Sequence, residues 1–190
     1  DSQDVAQLGE ILSTNPQITW VQLPFAGVDN FKALFDSVSA SGRELVFTSA
    51  KGAYREPVAE HALMLALALG RALPERLAAK TWGGKFAASL FDSKVLIVGG
   101  GGIAEELLRL LAPFRVDATV VRRVAKPLAG ANRVIGLGDL DANLPTADFV
   151  FLASALTAET KGLFDASRFA LMKPTAYLIN IARGAIVDSS

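Results

Sequence analysis

The apolar run Val95-Leu96-Ile97-Val98, introduced by Lys94, empties into four consecutive glycines, Gly99-Gly100-Gly101-Gly102, followed directly by Ile103-Ala104. A short continuous apolar run bounded by glycines is the pattern of a strand buried on both faces, so this stretch predicts strand, tight turn and helix start. It also fits the spacing G-x-G-x-x-G/A. In that reading Gly99 makes the turn, Gly101 lets the backbone approach a pyrophosphate and Ala104 allows close helix packing. The phosphates would then sit at the helix N-terminus, where free N–H groups and the macrodipole favour negative charge. A glycine run can equally be an ordinary turn, so its context decides.

That context begins with Ile103, Leu107, Leu110, Leu111 and Phe114 at helical spacing, with Glu105, Glu106 and Arg109 on the other side. A strand over residues 116–121 follows and ends in Arg122-Arg123, where the dinucleotide motif usually places an acidic residue for the ribose 2′-hydroxyl. An arginine cannot accept that hydrogen bond, but its guanidinium matches a 2′-phosphate. The expected cofactor is therefore NADP(H), with NAD(H) possible; the alternative is a solvated pair of surface arginines.

Helices are further predicted over residues 1–12, 31–37, 58–71, 74–80, 139–144 and 166–172, and strands over 18–23, 44–48, 133–136, 148–153 and 176–181. Strands alternating with helices imply a parallel sheet with right-handed crossovers, so every loop after a strand lies on one edge, where open α/β sheets bind ligands. The fold class is α/β, a doubly wound parallel sheet. A change to small, polar residues between Ser49 and Pro57 marks a hinge, with domains expected at 1–54 and 55–190. The loop Phe25-Ala26-Gly27-Val28-Asp29 could hold a carboxylate on open backbone N–H groups or be a plain turn.

Composition narrows the partners. Lysine plus arginine balance aspartate plus glutamate at 19 each, giving no charge argument for nucleic acid or a membrane surface. There are no cysteines, hence no disulfide framework, thiol nucleophile or cysteine metal site, and with one histidine no metal site is expected. No signal peptide or membrane span is legible, and a cytoplasmic location is the default expectation. His61 lies in a helical pattern and reads as structural rather than catalytic; nothing positions Asp29 with Glu60 as a carboxylate pair. The helix from residue 58 is apolar almost all round, as if sandwiched between core and partner. Trp82, followed by Gly83-Gly84, reads as a subunit anchor or as a capped core aromatic. Helix and tryptophan together lead to the expectation of a homodimer.

Five stretches together resemble the D-isomer-specific 2-hydroxyacid dehydrogenases: Phe25-Ala26-Gly27-Val28-Asp29, Pro57-Val58-Ala59-Glu60-His61, the glycine loop, Leu156-Thr157-Ala158-Glu159-Thr160, and the run from Asn180 through Arg183-Gly184 to Asp188. Arg122-Arg123 resembles the NADP-preferring, glyoxylate/hydroxypyruvate reductase-like branch. The resemblance implies a Rossmann domain over 55–190 and part of a flavodoxin-like substrate domain over 1–54. It also implies hydride transfer between NADP(H) and a small 2-oxo or 2-hydroxy acid. By position, Phe25, Ala26 and Gly27 would hold the substrate carboxylate, and Arg183 would pair with it and polarise the 2-oxo group. Gly102 and Ile103 would face the pyrophosphate and Arg122 the 2′-phosphate. Ser154, Ala155 and Thr160 would lie on the adenosine side, and Ile181 and Ala182 at the nicotinamide ribose.

Two departures qualify the resemblance. Ala155 stands where the family often has proline, which is expected to loosen that loop. The family's catalytic glutamate and histidine lie downstream of the aspartate motif while the chain stops at Ser190, so it is expected to be a segment truncated at both ends that binds better than it catalyses. A rival reading is a corepressor-like module that binds a dinucleotide without turnover.

Overall fold

Successive residues of a strand face opposite sides of the sheet, and in the larger part of this protein both sides are apolar. Val95 and Ile97 enter one buried cluster and Leu96 and Val98 the other; Phe149 and Phe151 alternate with Val150 and Leu152 in the same way. This is why the strands read as continuous apolar runs rather than as an apolar-polar alternation.

The computed structural model describes residues 2–84 and 87–189; Asp1, the first residue of the expected N-terminal helix, and Ser190 lie outside the described residues. The chain divides into two compact units, Asp1–Tyr54 and Arg55–Ser190.

In the second unit β3 (Lys94–Val98), β4 (Asp117–Val121), β5 (Arg133–Ile135), β6 (Phe149–Leu152) and β7 (Tyr177–Asn180) form one parallel sheet in the order β5-β4-β3-β6-β7. The winding direction reverses between β3 and β6, as in a Rossmann sheet. Helices α3 (Arg55–Gly70) and α5 (Gly102–Leu111) cover one face, while α6 (Leu140–Asn143), Phe164 and Ile186 pack against the other.

Small residues set the α3 to α5 approach. Ala59, Ala62, Ala66 and Gly70 form the buried stripe of α3, opposite Ala104, Leu107, Leu108 and Leu111 of α5. The helix expected from residue 58 begins earlier, at Arg55, and Pro57 sits in its first turn, where the missing N–H breaks no helical bond. The α-helix after the glycines ends at Leu111, and Pro113 lies within a 3-10 turn, Ala112–Phe114. The helix expected over 139–144 is instead a single α-turn between two 3-10 turns. Helix α4 (Leu73–Ala78) precedes the segment carrying Trp82, and α7 (Ala166–Leu171) opens on Asp165, whose carboxylate accepts from the Arg168 N–H.

The first unit holds α1 (Ser2–Thr14), β1 (Trp20–Leu23), α2 (Lys32–Ala40) and β2 (Val46–Ser49); β1 and β2 pair in parallel from Trp20↔Val46 to Leu23↔Ser49. Arg43 closes the turn between α1 and β1 by donating to the carbonyls of Leu12, Asn15 and Ile18. Phe31 stacks on Phe35 of α2, which in turn meets Phe47 of β2 at a tilt. No helix among the described residues is long and apolar enough to cross a membrane.

Candidate functional site

Gly99 ends β3 at the point where the sheet reverses. Its φ of 119° lies in the left-handed region, and a Cβ there would fall 2.6 Å from the carbonyl carbon of Ala153 and 2.7 Å from the Ser154 nitrogen. Two strand ends can therefore come this close only over a glycine. Gly101, the N-cap of α5, is different: a Cβ there would meet nothing within 4 Å. The first bond of the helix runs from Glu105 N–H to Gly101 C=O, so the Gly102 and Ile103 N–H groups precede the helical ladder and donate to no acceptor among the described residues. Ala104 is fully buried against α3. The loop glycines thus differ: Gly99 lets the fold close, whereas Gly101 leaves its side-chain space open.

Arg122 directly follows β4. Its backbone N–H donates to Ile135, and its side chain lies across Gly100, with Cδ 2.9 Å and Nε 3.0 Å from where a Cβ on that glycine would stand. Arg123 is exposed and faces the loop after β6. There the Glu159 carboxyl is held below its ordinary range, first by a hydrogen bond from Thr157 and to a lesser degree by the charge of Arg123. The two arginines therefore part company, one over the glycines and one toward an acid.

Ser154 has a buried hydroxyl with no partner, beside Gly99. Ala155, expected to loosen its loop, has its carbonyl tied by the Thr160 hydroxyl at 2.7 Å, and that same oxygen accepts the Thr157 N–H at 2.7 Å. Thr160 spends its hydroxyl closing the loop and contributes shape. Ile181 and Ala182 are half-buried just past β7, where Ile181 N–H bonds the Leu152 carbonyl.

Arg183 is exposed, in extended backbone conformation, with one guanidinium nitrogen 2.9 Å from the Ala182 carbonyl. Asn180 holds this turn from both sides: its amide oxygen accepts from Ala182 N–H at 3.0 Å and its amide nitrogen donates to the Arg183 carbonyl at 2.9 Å. The sequence reading overlooked this role, although an asparagine at a strand end is a recognisable Asx-turn signal. In the first unit Phe25 is half-exposed, its carbonyl accepts from Ala50 N–H, and the Ala26 and Gly27 N–H groups donate to no acceptor among the described residues.

His61 is exposed on α3. Trp82 is fully exposed, so a core aromatic is excluded there; Leu77 is 78% exposed, and Leu73 and Met64 are also open.

The glycine loop, the start of α5, Arg122, Ser154 and the turn carrying Arg183 all stand at the C-terminal ends of parallel strands. Residues 61–190 match the family model described as D-isomer specific 2-hydroxyacid dehydrogenase, NAD binding domain. The D-3-phosphoglycerate dehydrogenase of Mycobacterium tuberculosis is 31% identical over 186 residues, which are 95% of this chain and 34% of that protein. The glyoxylate reductase of Pyrococcus furiosus is 30% identical over 192 residues, 95% of this chain and 56% of its own length. The crystal structure of a D-isomer specific 2-hydroxyacid dehydrogenase family protein from Aeromonas salmonicida superposes with a TM-score of 0.82 at 27% identity, covering 97% of this chain and 59% of that one. The chain thus spans between about a third and three fifths of these relatives. Motif, strand order and family match agree, and the chain belongs to the D-isomer-specific 2-hydroxyacid dehydrogenase family, with residues 61–190 corresponding to its NAD-binding domain.

Proposed function

We propose that the protein is an oxidoreductase acting on a small 2-oxo or 2-hydroxy acid with NADP(H) as the preferred cofactor. The observation that carries the cofactor reading is the Arg122 side chain laid across Gly100, beside an α5 N-terminus whose first N–H groups have no acceptor among the described residues. The residues present fit a dinucleotide: open space over Gly101, backbone N–H groups at Gly102 and Ile103 with no acceptor among the described residues, and beside Gly99 a buried Ser154 hydroxyl with no partner among them. When bound, the nicotinamide supplies the hydride to the 2-oxo carbon or takes it back from the alcohol.

This chain's own residues bind and orient the reactants, while the proton that turns the alkoxide into the alcohol needs a general acid that none of them supplies. Arg183 pairs with the substrate carboxylate and, as a two-pronged donor, draws electron density from the 2-oxo oxygen. In the first unit, the Phe25-Ala26-Gly27 loop is by itself a carboxylate-binding candidate, since its Ala26 and Gly27 N–H groups have no acceptor among the described residues. Ile181 and Ala182 keep water from the nicotinamide ribose, and Arg122 neutralises a 2′-phosphate. The relative named glyoxylate reductase makes a two-carbon 2-oxo acid the first substrate to try. The open apolar residues Leu73, Leu77 and Trp82 support assembly as a homodimer.

The test is a titration with NADPH and NADH followed by nicotinamide fluorescence, then NADPH oxidation with glyoxylate or hydroxypyruvate. Preferential NADPH binding is expected of this chain, and 2-oxo acid-dependent oxidation of a polypeptide that also supplies the general acid. Dinucleotide binding without turnover of any small 2-oxo acid by that longer polypeptide would overturn the enzymatic reading.

A further inference from the structure

Gly102, the first residue of α5, carries no side chain, and its side-chain space is bordered by a residue from another helix. The Cδ and Cβ of Arg55 lie 3.7 and 3.8 Å from where a Cβ on Gly102 would stand. Arg55 is the first residue of α3, and the packing of α3 on α5 through the Ala59 and Ala104 stripes brings the two helix starts together. Two N-terminal dipole ends and one guanidinium thus gather at the same end of the helix pair.

The Arg55 guanidinium makes only long-range charge contacts within the protein. The nearest carboxylate is that of Glu56, at 3.9 Å, too far for a hydrogen bond. Glu106, whose carboxyl also feels Arg55, is already held by a forked pair of bonds from Arg109 at 2.9 and 2.6 Å. No hydrogen bond among the described residues is donated by the Arg55 guanidinium, and the side chain is 53% exposed. A half-exposed cation, in a long ion pair with Glu56 and making no hydrogen bond, therefore stands beside the Gly102 and Ile103 N–H groups, which have no acceptor among the described residues.

We propose that Arg55 is a pyrophosphate-binding residue, supplying to the α5 N-terminus the cationic side chain that Gly102 lacks. The proposal rests on the dinucleotide reading of the glycine loop and gives the two arginines separate tasks. Arg122, over Gly100, grades the 2′-position and so distinguishes NADPH from NADH. Arg55, over Gly102, serves the diphosphate common to both.

The experiment measures dissociation constants of NADH, NADPH and ADP-ribose for the wild-type protein, Arg55→Met and Arg55→Lys, each at low and high salt. Arg55→Met keeps an apolar stem and removes the charge; its thermal midpoint relative to wild type reports on folding. Arg55→Met is expected to weaken all three ligands by a common factor of about five to thirty, flatten the salt dependence, and leave the NADPH to NADH ratio unchanged. Arg55→Lys should restore part of the loss. Wild-type affinity in Arg55→Met, or a loss confined to NADPH, would overturn the assignment while leaving the dinucleotide site intact. Failure of the wild-type protein to bind any of the three would overturn that site and this assignment together.

Discussion

Ala153 and Gly99 meet at the reversal of the sheet with a carbonyl carbon 2.6 Å from the position a Cβ on Gly99 would take, closer than side-chain contacts come. Both neighbours are backbone at the ends of paired strands, so neither can yield. Gly99→Ala is expected to cost about 2–4 kcal/mol, the sum of left-handed strain and overlap. Urea denaturation measures it. Gly101→Ala faces open space and should cost only a few tenths of a kcal/mol, since glycine and alanine differ modestly at such an N-cap. That substitution should instead weaken dinucleotide binding. Equal effects of the two on stability would refute the division of roles.

Arg122→Gln removes a charge and keeps a long polar side chain. NADPH affinity should fall tenfold or more, the worth of about 1.5–3 kcal/mol of charge-assisted bonding, with NADH little changed. Arg123→Gln should have the smaller effect, because Arg123 faces Glu159. Parallel losses for both cofactors in Arg122→Gln would speak against a 2′-phosphate site.

Asp148 ties the starts of three strands. Its carboxylate accepts from Lys94 N–H at 2.8 Å and from the Lys173 ammonium at 2.7 Å, and its own carbonyl receives Tyr177 N–H. Burial is the largest single influence and pushes its pKa up; the Lys173 hydrogen bond, the Lys94 N–H and the charges of both lysines together outweigh it and hold the carboxyl below its usual range. A lowered folded-state pKa means stability that is fully present above the unfolded value of about 3.9 and lost as pH falls through the folded one. Asp148→Asn should therefore be less stable by about 1 kcal/mol at neutral pH, the pair being partly exposed. The deficit should shrink below about pH 4 as the wild-type carboxyl protonates. A pH-independent difference between the two proteins would sink the argument.

Leu77→Asp and Trp82→Ser alter side chains that touch little within the chain, so thermal stability of the monomer should move by less than about 0.5 kcal/mol. Association should weaken tenfold or more by sedimentation equilibrium if these residues form the self-contact. Unchanged association, or a wild-type protein that sediments as a monomer, would overturn the proposed self-contact.

The sheet was legible because burial on both faces leaves a strand no polar position, and Val95 to Val98 and Phe149 to Leu152 announce themselves that way. The three-residue errors at helix ends came from local chemistry that periodicity ignores. Pro57 looks like a helix boundary, yet a first turn tolerates it, and Pro113 tightens the end of α5 into a 3-10 turn. At the site, glycine spacing marked the loop, but no local pattern could reveal Arg55, because its place beside Gly102 depends on α3 packing on α5 across a long stretch of chain. Thr160 fits a family pattern by position, and only the structure brings out that its hydroxyl bonds back to Ala155. Trp82 admitted two readings in the sequence; full exposure removes one of them.

The Arg122 side chain occupies the volume that any side chain at position 100 would need. An uncharged residue introduced there would push the guanidinium aside and so redraw the electrostatic field over the loop with every charged group still present. Cofactor choice in such a protein can drift through a neutral substitution, and an inventory of its arginines alone would miss the change.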